Sequence, residues 1–124
     1  MPRRASWRIT APLAAVLDAV AILVFAAAGK SSHAEHGGVH EVLVIAWPFA
    51  AGAALGWLAH VMLRRTAPLT VSGGWWVLAG AVLGGHVLRV VSGRGTAVAF
   101  VVVSVIALSV LLVGWRALSR LLPR

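Results

Sequence analysis

Four long apolar runs, parted by short polar stretches, bound what this chain can become. They cover approximately residues 12–29, 42–63, 75–91 and 96–113. A helix needs about 20 mostly apolar residues to cross the hydrocarbon core of a bilayer. The first, second and fourth runs meet that need. The third is shorter and carries His86 and Arg89. Hydrophobic residues make up 60% of the chain and charged residues only 11%, too little polarity to clothe a water-facing domain. Backbone groups in lipid must be satisfied within their own segment, which selects helices. Barrel strands would alternate apolar and polar residues, and these runs do not. The expected fold is all-α, a single domain over residues 1–124 with four transmembrane helices. The connections "RRTAPLTVSGG" and "SGRG" are short, so neighbouring helices run antiparallel in an up-down bundle.

The net charge of +8 is distributed by topology rather than gathered on one soluble face. Arg3, Arg4 and Arg8 precede the first run, Arg64 and Arg65 follow the second, and Arg116, Arg120 and Arg124 follow the fourth. With four spans these segments share one side of the membrane. The other side receives Lys30 and Arg94, with Arg89 nearby. The positive-inside rule makes the arginine side cytoplasmic, with both termini on it. Trp7, Trp75, Trp76 and Trp115 fall at that same boundary, where amphipathic rings prefer to lie. The arginines are read as topology signals and anchors for anionic lipid. Nucleic acid is not an expected partner, because a nucleic-acid footprint clusters on a soluble face. The first run also has the basic start, apolar middle and "AAAG" of a cleavable signal, but it is long for one and holds Asp18, so it is read as a span. With no cysteine, thiolate metal sites, disulfides and cysteine catalysis drop out.

Asp18 is the most informative residue. It lies about seven residues, or about 10 Å, into the first span. An acid at such depth faces the bundle interior and pairs, or is protonated by desolvation. His86 and Arg89, three apart on one helix face, are its expected partners. The functional alternative is a proton or cation site. The structural alternative is a buried pair that fixes helix register. His60 sits near the cytoplasmic end of the second span, at a different depth from His86, so the two are not placed to clamp a haem, and no cofactor is expected. Gly52 and Gly56 in the second span, and Gly80 and Gly84 in the third, each form a GxxxG. Small residues four apart let helix backbones approach closely. Packing of the second span against the third within one chain is expected before dimerisation. Trp47-Pro48 is placed near the outer start of the second span, where proline costs little. Ser104 and Ser109 are read as packing residues of the fourth helix.

The stretch "GKSSHAEHGGVHE" holds His33, His36 and His40 at spacings of three and four. On one helix these could bind Zn²⁺ or Cu²⁺ through imidazole nitrogen. Gly37 and Gly38 interrupt such a helix, so a wet loop is expected and no metal site. His33 is the exception, able to fold over the outer helix ends into a polar cluster with Lys30 and Ser32 near Arg89. No serine–base pair, carboxylate pair or phosphate loop is legible.

An aspartate in the first helix, then "FAAAGKSSH", "AWPFAAGAALGW", an arginine late in the third helix, "GTAVAFVVVSV" and a closing "GWR" together resemble the DUF3054 family of small four-helix integral membrane proteins. The resemblance covers about Leu13 to Arg116. It implies a membrane fold and no particular activity. It picks out Asp18, Gly29, Ser32, His33, Trp47, Pro48, Gly52, Gly56, Trp57, Arg89, Gly95 and Thr96. Lys30 stands where the resemblance implies arginine, which keeps the charge and loses the planar fork. The expected role is that of a non-enzymatic accessory or structural protein of the inner (cytoplasmic) membrane, its partners the lipid bilayer and a membrane protein or second copy of itself. The alternatives are a small proton-coupled transporter using Asp18, on a plan similar to small multidrug-resistance exporters, and an outer-face metal-binding membrane protein.

Overall fold

In the computed structural model the chain is all-helical, and residues 8–32 and 38–122 are described. Helix α1 spans Ala11–Ser32 and α2 spans Gly38–Arg64. Helices α3, Val71–Val91, and α4, Val98–Ser119, complete a set of four that are each long and apolar enough to cross a membrane. Helices α1, α2 and α3 begin before their apolar runs and α4 continues past the end of its own, so the helix ends are not set by hydropathy. Thr10 accepts a bond from the Leu13 amide at the start of α1 (3.3 Å), and Thr70 accepts one from Gly73 at the start of α3 (3.3 Å). Helix α2 starts at Gly38 with φ +51°, a left-handed geometry that glycine adopts freely. Glu41 lies in its first turn, where the helix dipole favours an acid. It ends on Arg65, which takes φ +61° while its amide bonds the Val61 carbonyl (2.9 Å).

The sequence reading of Pro48 as a first-turn residue does not hold. Because α2 starts earlier than its apolar run, Pro48 lies buried inside the helix. There it removes one backbone donor, a loss that neighbouring helices make tolerable in a bundle. Helices α3 and α4 each contain a π-helical turn, Gly80–Gly84 and Ser109–Val113. Such a turn is wider by one residue and rotates the rest of its helix about the axis.

The core is small and interlocked. Ala21, Ile22, Phe25 and Ala26 of α1 meet Ala46, Phe49 and Ala53 of α2, Val77, Leu78 and Ala81 of α3, and Leu108 and Leu112 of α4. The outward faces carry Val16, Leu58, Leu83, Val87, Ile106 and Val110, all exposed. A water-soluble monomer rarely shows so much apolar surface, and hydrocarbon is its natural solvent. The α2–α3 seam is a very close approach of backbones. A Cβ on Gly52 would strike the Gly80 carbonyl oxygen, one on Gly80 would strike the Gly52 carbonyl, and one on Gly56 would lie 2.5 Å from the Trp76 oxygen. Gly84 stands over Gly52, where a Cβ would lie 3.0 Å from its Cα. All four predicted packing glycines therefore meet across one seam within the chain.

Candidate functional site

Where α1, α2 and α4 converge near the arginine-rich end of the bundle, Asp18 is 3% exposed and Arg116 1% exposed. They form a two-pronged ion pair. Arg116 Nη1 donates to Oδ1 and Nη2 donates to Oδ2, each at 2.8 Å. The planar guanidinium matches a carboxylate in this way, and a lysine would not. Two indoles complete the set. Trp57 Nε1 of α2 donates to Oδ2 at 2.7 Å, and Trp115 Nε1 of α4 donates to Oδ1 at 2.8 Å. Each carboxylate oxygen thus accepts two bonds, which fills the four lone-pair positions of the group.

Arg116 is held as fully. Its Nε donates to the Pro68 carbonyl (2.9 Å), in the connection between α2 and α3, and Nη1 donates also to the Leu112 carbonyl (2.8 Å). Its Cζ lies 4.3 Å from the Trp115 ring centroid. Helix α3 closes the remaining side with Gly74, where a Cβ would fall 2.7 Å from Arg116 Cδ. The π turn Ser109–Val113 directly precedes Gly114-Trp115-Arg116. Its extra residue sets the register that brings two adjacent side chains of α4, Trp115 and Arg116, onto one carboxylate.

The expected partners of Asp18 are therefore corrected. Neither His86 nor Arg89 pairs with it. Arg116, read from sequence as an interfacial anchor, does, and Trp115 belongs to the same cluster rather than to the membrane boundary alone. The reason is helix length. The fourth apolar run stops at Val113, but α4 continues to Ser119 and carries Arg116 inside the bundle.

His86 and Arg89 take part in a second assembly nearer the opposite end. The three phenylalanines of the chain converge there, with Phe25–Phe49, Phe49–Phe100 and Phe25–Phe100 centroids 5.1, 5.9 and 6.2 Å apart. The His86 ring stands edge-on to Phe49 (5.3 Å) and Phe100 (5.6 Å). Arg89 lays its Cζ 4.6 Å from the Phe100 centroid and donates from Nε and Nη2 to the Gly95 carbonyl (3.2 and 2.9 Å), closing the turn between α3 and α4. Ser104 donates its single hydroxyl proton to the Val101 carbonyl (2.8 Å), so His86 Nε2 is the donor in its 2.8 Å bond to Ser104 Oγ. His86 Nδ1 is then the acceptor nitrogen, buried and without a partner among the described residues. His60 is engaged elsewhere, donating from Nδ1 to the Thr66 carbonyl (2.7 Å) beside Trp76.

On the loop side, Lys30 and Ser32 lie in the last turn of α1, and His40 is exposed in the first turn of α2. His33 and His36 lie outside the described residues, and the outer-mouth cluster and the three-histidine metal candidate lie there with them. Among the described residues no group of three His, Cys, Asp or Glu side chains is placed to hold a metal ion.

Fold and site together define a small four-helix bundle of membrane-spanning character, closed by one buried ion pair between its first and last helices. The profile of DUF3054, a protein family of unknown function, matches residues 15–119. The chain belongs to that family. No curated protein and no solved structure matches it.

Proposed function

We propose that this protein is a non-enzymatic, multi-pass accessory or structural protein of the cytoplasmic membrane, with both termini in the cytoplasm. The observation that carries this reading is the saturation of Asp18. A carboxylate that relays protons or binds a cation must offer a lone pair to its cargo in one state of its cycle. Here two indole N–H groups and a forked guanidinium occupy both oxygens, and burial shuts water out. An arrangement of this kind fixes the register of three helices and specifies one packing, a role attested for buried polar groups in other bundles. The arginine bias between the two ends supports the orientation. A bilayer is the first partner, and another membrane protein or a second copy is the second.

Asp18→Asn tests the reading. The amide keeps the volume but strands Arg116 in the interior. Breaking a buried pair costs about 3–5 kcal/mol, so the variant should melt well below the wild type in detergent. A proton-coupled transporter predicts the converse: near-normal melting with loss of pH-gradient-driven flux in reconstituted vesicles. That pattern would overturn the structural role.

A further inference from the structure

On the lipid-facing side of the α2–α3 seam the helices do not meet flush. A groove of about 540 Å³ runs between them, walled by Leu55 and Ala59 of α2 and by Ser72, Trp75, Trp76 and Leu83 of α3, over a floor that includes Gly56, Gly80 and Gly84. From Ser72 to Leu83 it climbs eleven residues, about 16 Å at 1.5 Å each. That is about half of a hydrocarbon core roughly 30 Å thick, the depth of one leaflet. Beyond it toward the opposite end, Val87, Val90 and Val91 stand out from α3. The groove ends halfway through the bilayer, and the apolar wall beyond it offers no continuation of the seat. An acyl chain of a single leaflet needs no more than it offers.

The charge at its mouth names the rest of the ligand. Arg64 lies there, its Cζ 5.7 Å from the centroid of Trp76, and Arg65 comes next in the turn. Both are exposed. The chain has eleven basic residues and three acids. The acid at this end among the described residues is Asp18, whose oxygens are already taken by Arg116, Trp57 and Trp115. Arg64 and Arg65 therefore look outward for an anion at the height where lipid phosphates lie. We infer that the groove is a binding site for one anionic phospholipid, with an acyl chain between α2 and α3 and the phosphate against Arg64 and Arg65. The site goes beyond the accessory role and does not depend on it, since it needs only that the four helices span a bilayer.

Native mass spectrometry of the full-length protein in detergent tests this, with phosphatidylglycerol and phosphatidylcholine of identical acyl chains as the probes. Each arginine near an anionic headgroup contributes about fivefold. The wild type should thus take up one phosphatidylglycerol saturably, with a preference of roughly thirtyfold over phosphatidylcholine. Arg64→Gln with Arg65→Gln should erase that preference. Ala79→Leu, projecting into the groove from an exposed position, should weaken binding of both lipids. If Ala79→Leu fails to fold, Ser72→Leu at the mouth replaces it. Equal uptake of the two lipids by the wild type overturns the inference, as does undiminished phosphatidylglycerol binding in the arginine and groove variants. A wild-type dimer that Ala79→Leu dissociates also overturns it, since the occupant is then a second copy.

Discussion

Asp18 shows how far a single residue can be read without coordinates. An acid deep in an apolar helix demands compensation, and that demand is legible in the sequence. The identity of its partner is not, because the choice among His86, Arg89 and Arg116 turns on depth, and depth turns on where each helix ends. Arg116 stands in plain view in the closing "GWR", but three residues past an apolar run it looks like an ordinary boundary arginine. The family resemblance singles out Trp57 without giving it a role, and its indole proves to be one of the donors on the carboxylate. The geometry ranks these donors. Trp57→Phe and Trp115→Phe each delete one hydrogen bond to a charged group, a loss of about 1.5–3 kcal/mol, measurable by denaturant unfolding in detergent. Arg116→Lys should cost more than either, because one ammonium cannot span both oxygens of Asp18 and the Pro68 carbonyl together. If the lysine variant matched the wild type, the forked geometry would carry no weight.

At the level of elements, the number, type and order of the helices are legible in hydropathy alone, and the glycine pairs give the α2–α3 seam. Helix boundaries are not, because hydropathy reports what lipid tolerates, whereas helix ends are set by caps such as Thr70 and by turns such as Arg65–Thr66. The π turns are invisible too, since nothing in "GAVLG" or "SVLLV" announces an extra residue per turn. The seam itself makes a sharp prediction. In Gly52→Ala the new methyl meets backbone of α3, which cannot rotate away as a side chain can. The helices must part, at a cost of about 1–3 kcal/mol or more. Gly114→Ala is the control: apart from its chain neighbours and its own helix backbone, no atom lies within 4 Å of its Cβ position, and alanine is the better helix former. Thermal unfolding should show the first variant clearly lowered and the second unchanged or raised. Equal effects would mean that the seam is looser than the glycine contacts imply.

For the whole molecule, the charge pattern decides how the bundle sits in its membrane. Reporter fusions after Arg65 and after Arg124 should read cytoplasmic, and fusions within residues 34–38 should read external. An external C-terminus beside a cytoplasmic Arg65 would mean three or five spans, and only an external reading at both would reverse the orientation and with it the leaflet that supplies the lipid. The tie between the first and last helices also has a consequence for manufacture. Asp18 leaves the ribosome 98 residues before Arg116, a wait of roughly 5–20 s at about 5–20 residues per second. Through that interval the acid lacks the cation it pairs with in the folded bundle, and α1 must either bear the insertion penalty of about 2.5–3.5 kcal/mol or wait near the headgroups. A chain terminated after Leu108 would carry three complete helices and keep the Trp57 indole, but it would lack both Trp115 and the Arg116 counter-charge of Asp18. Pulse–chase measurement in cells should find such a product cleared much faster than the full-length chain. Arg116 thus supplies the counter-charge only once the fourth helix has been made, and a chain cut short of that helix is left with Asp18 unpaired by any of its native cationic partners.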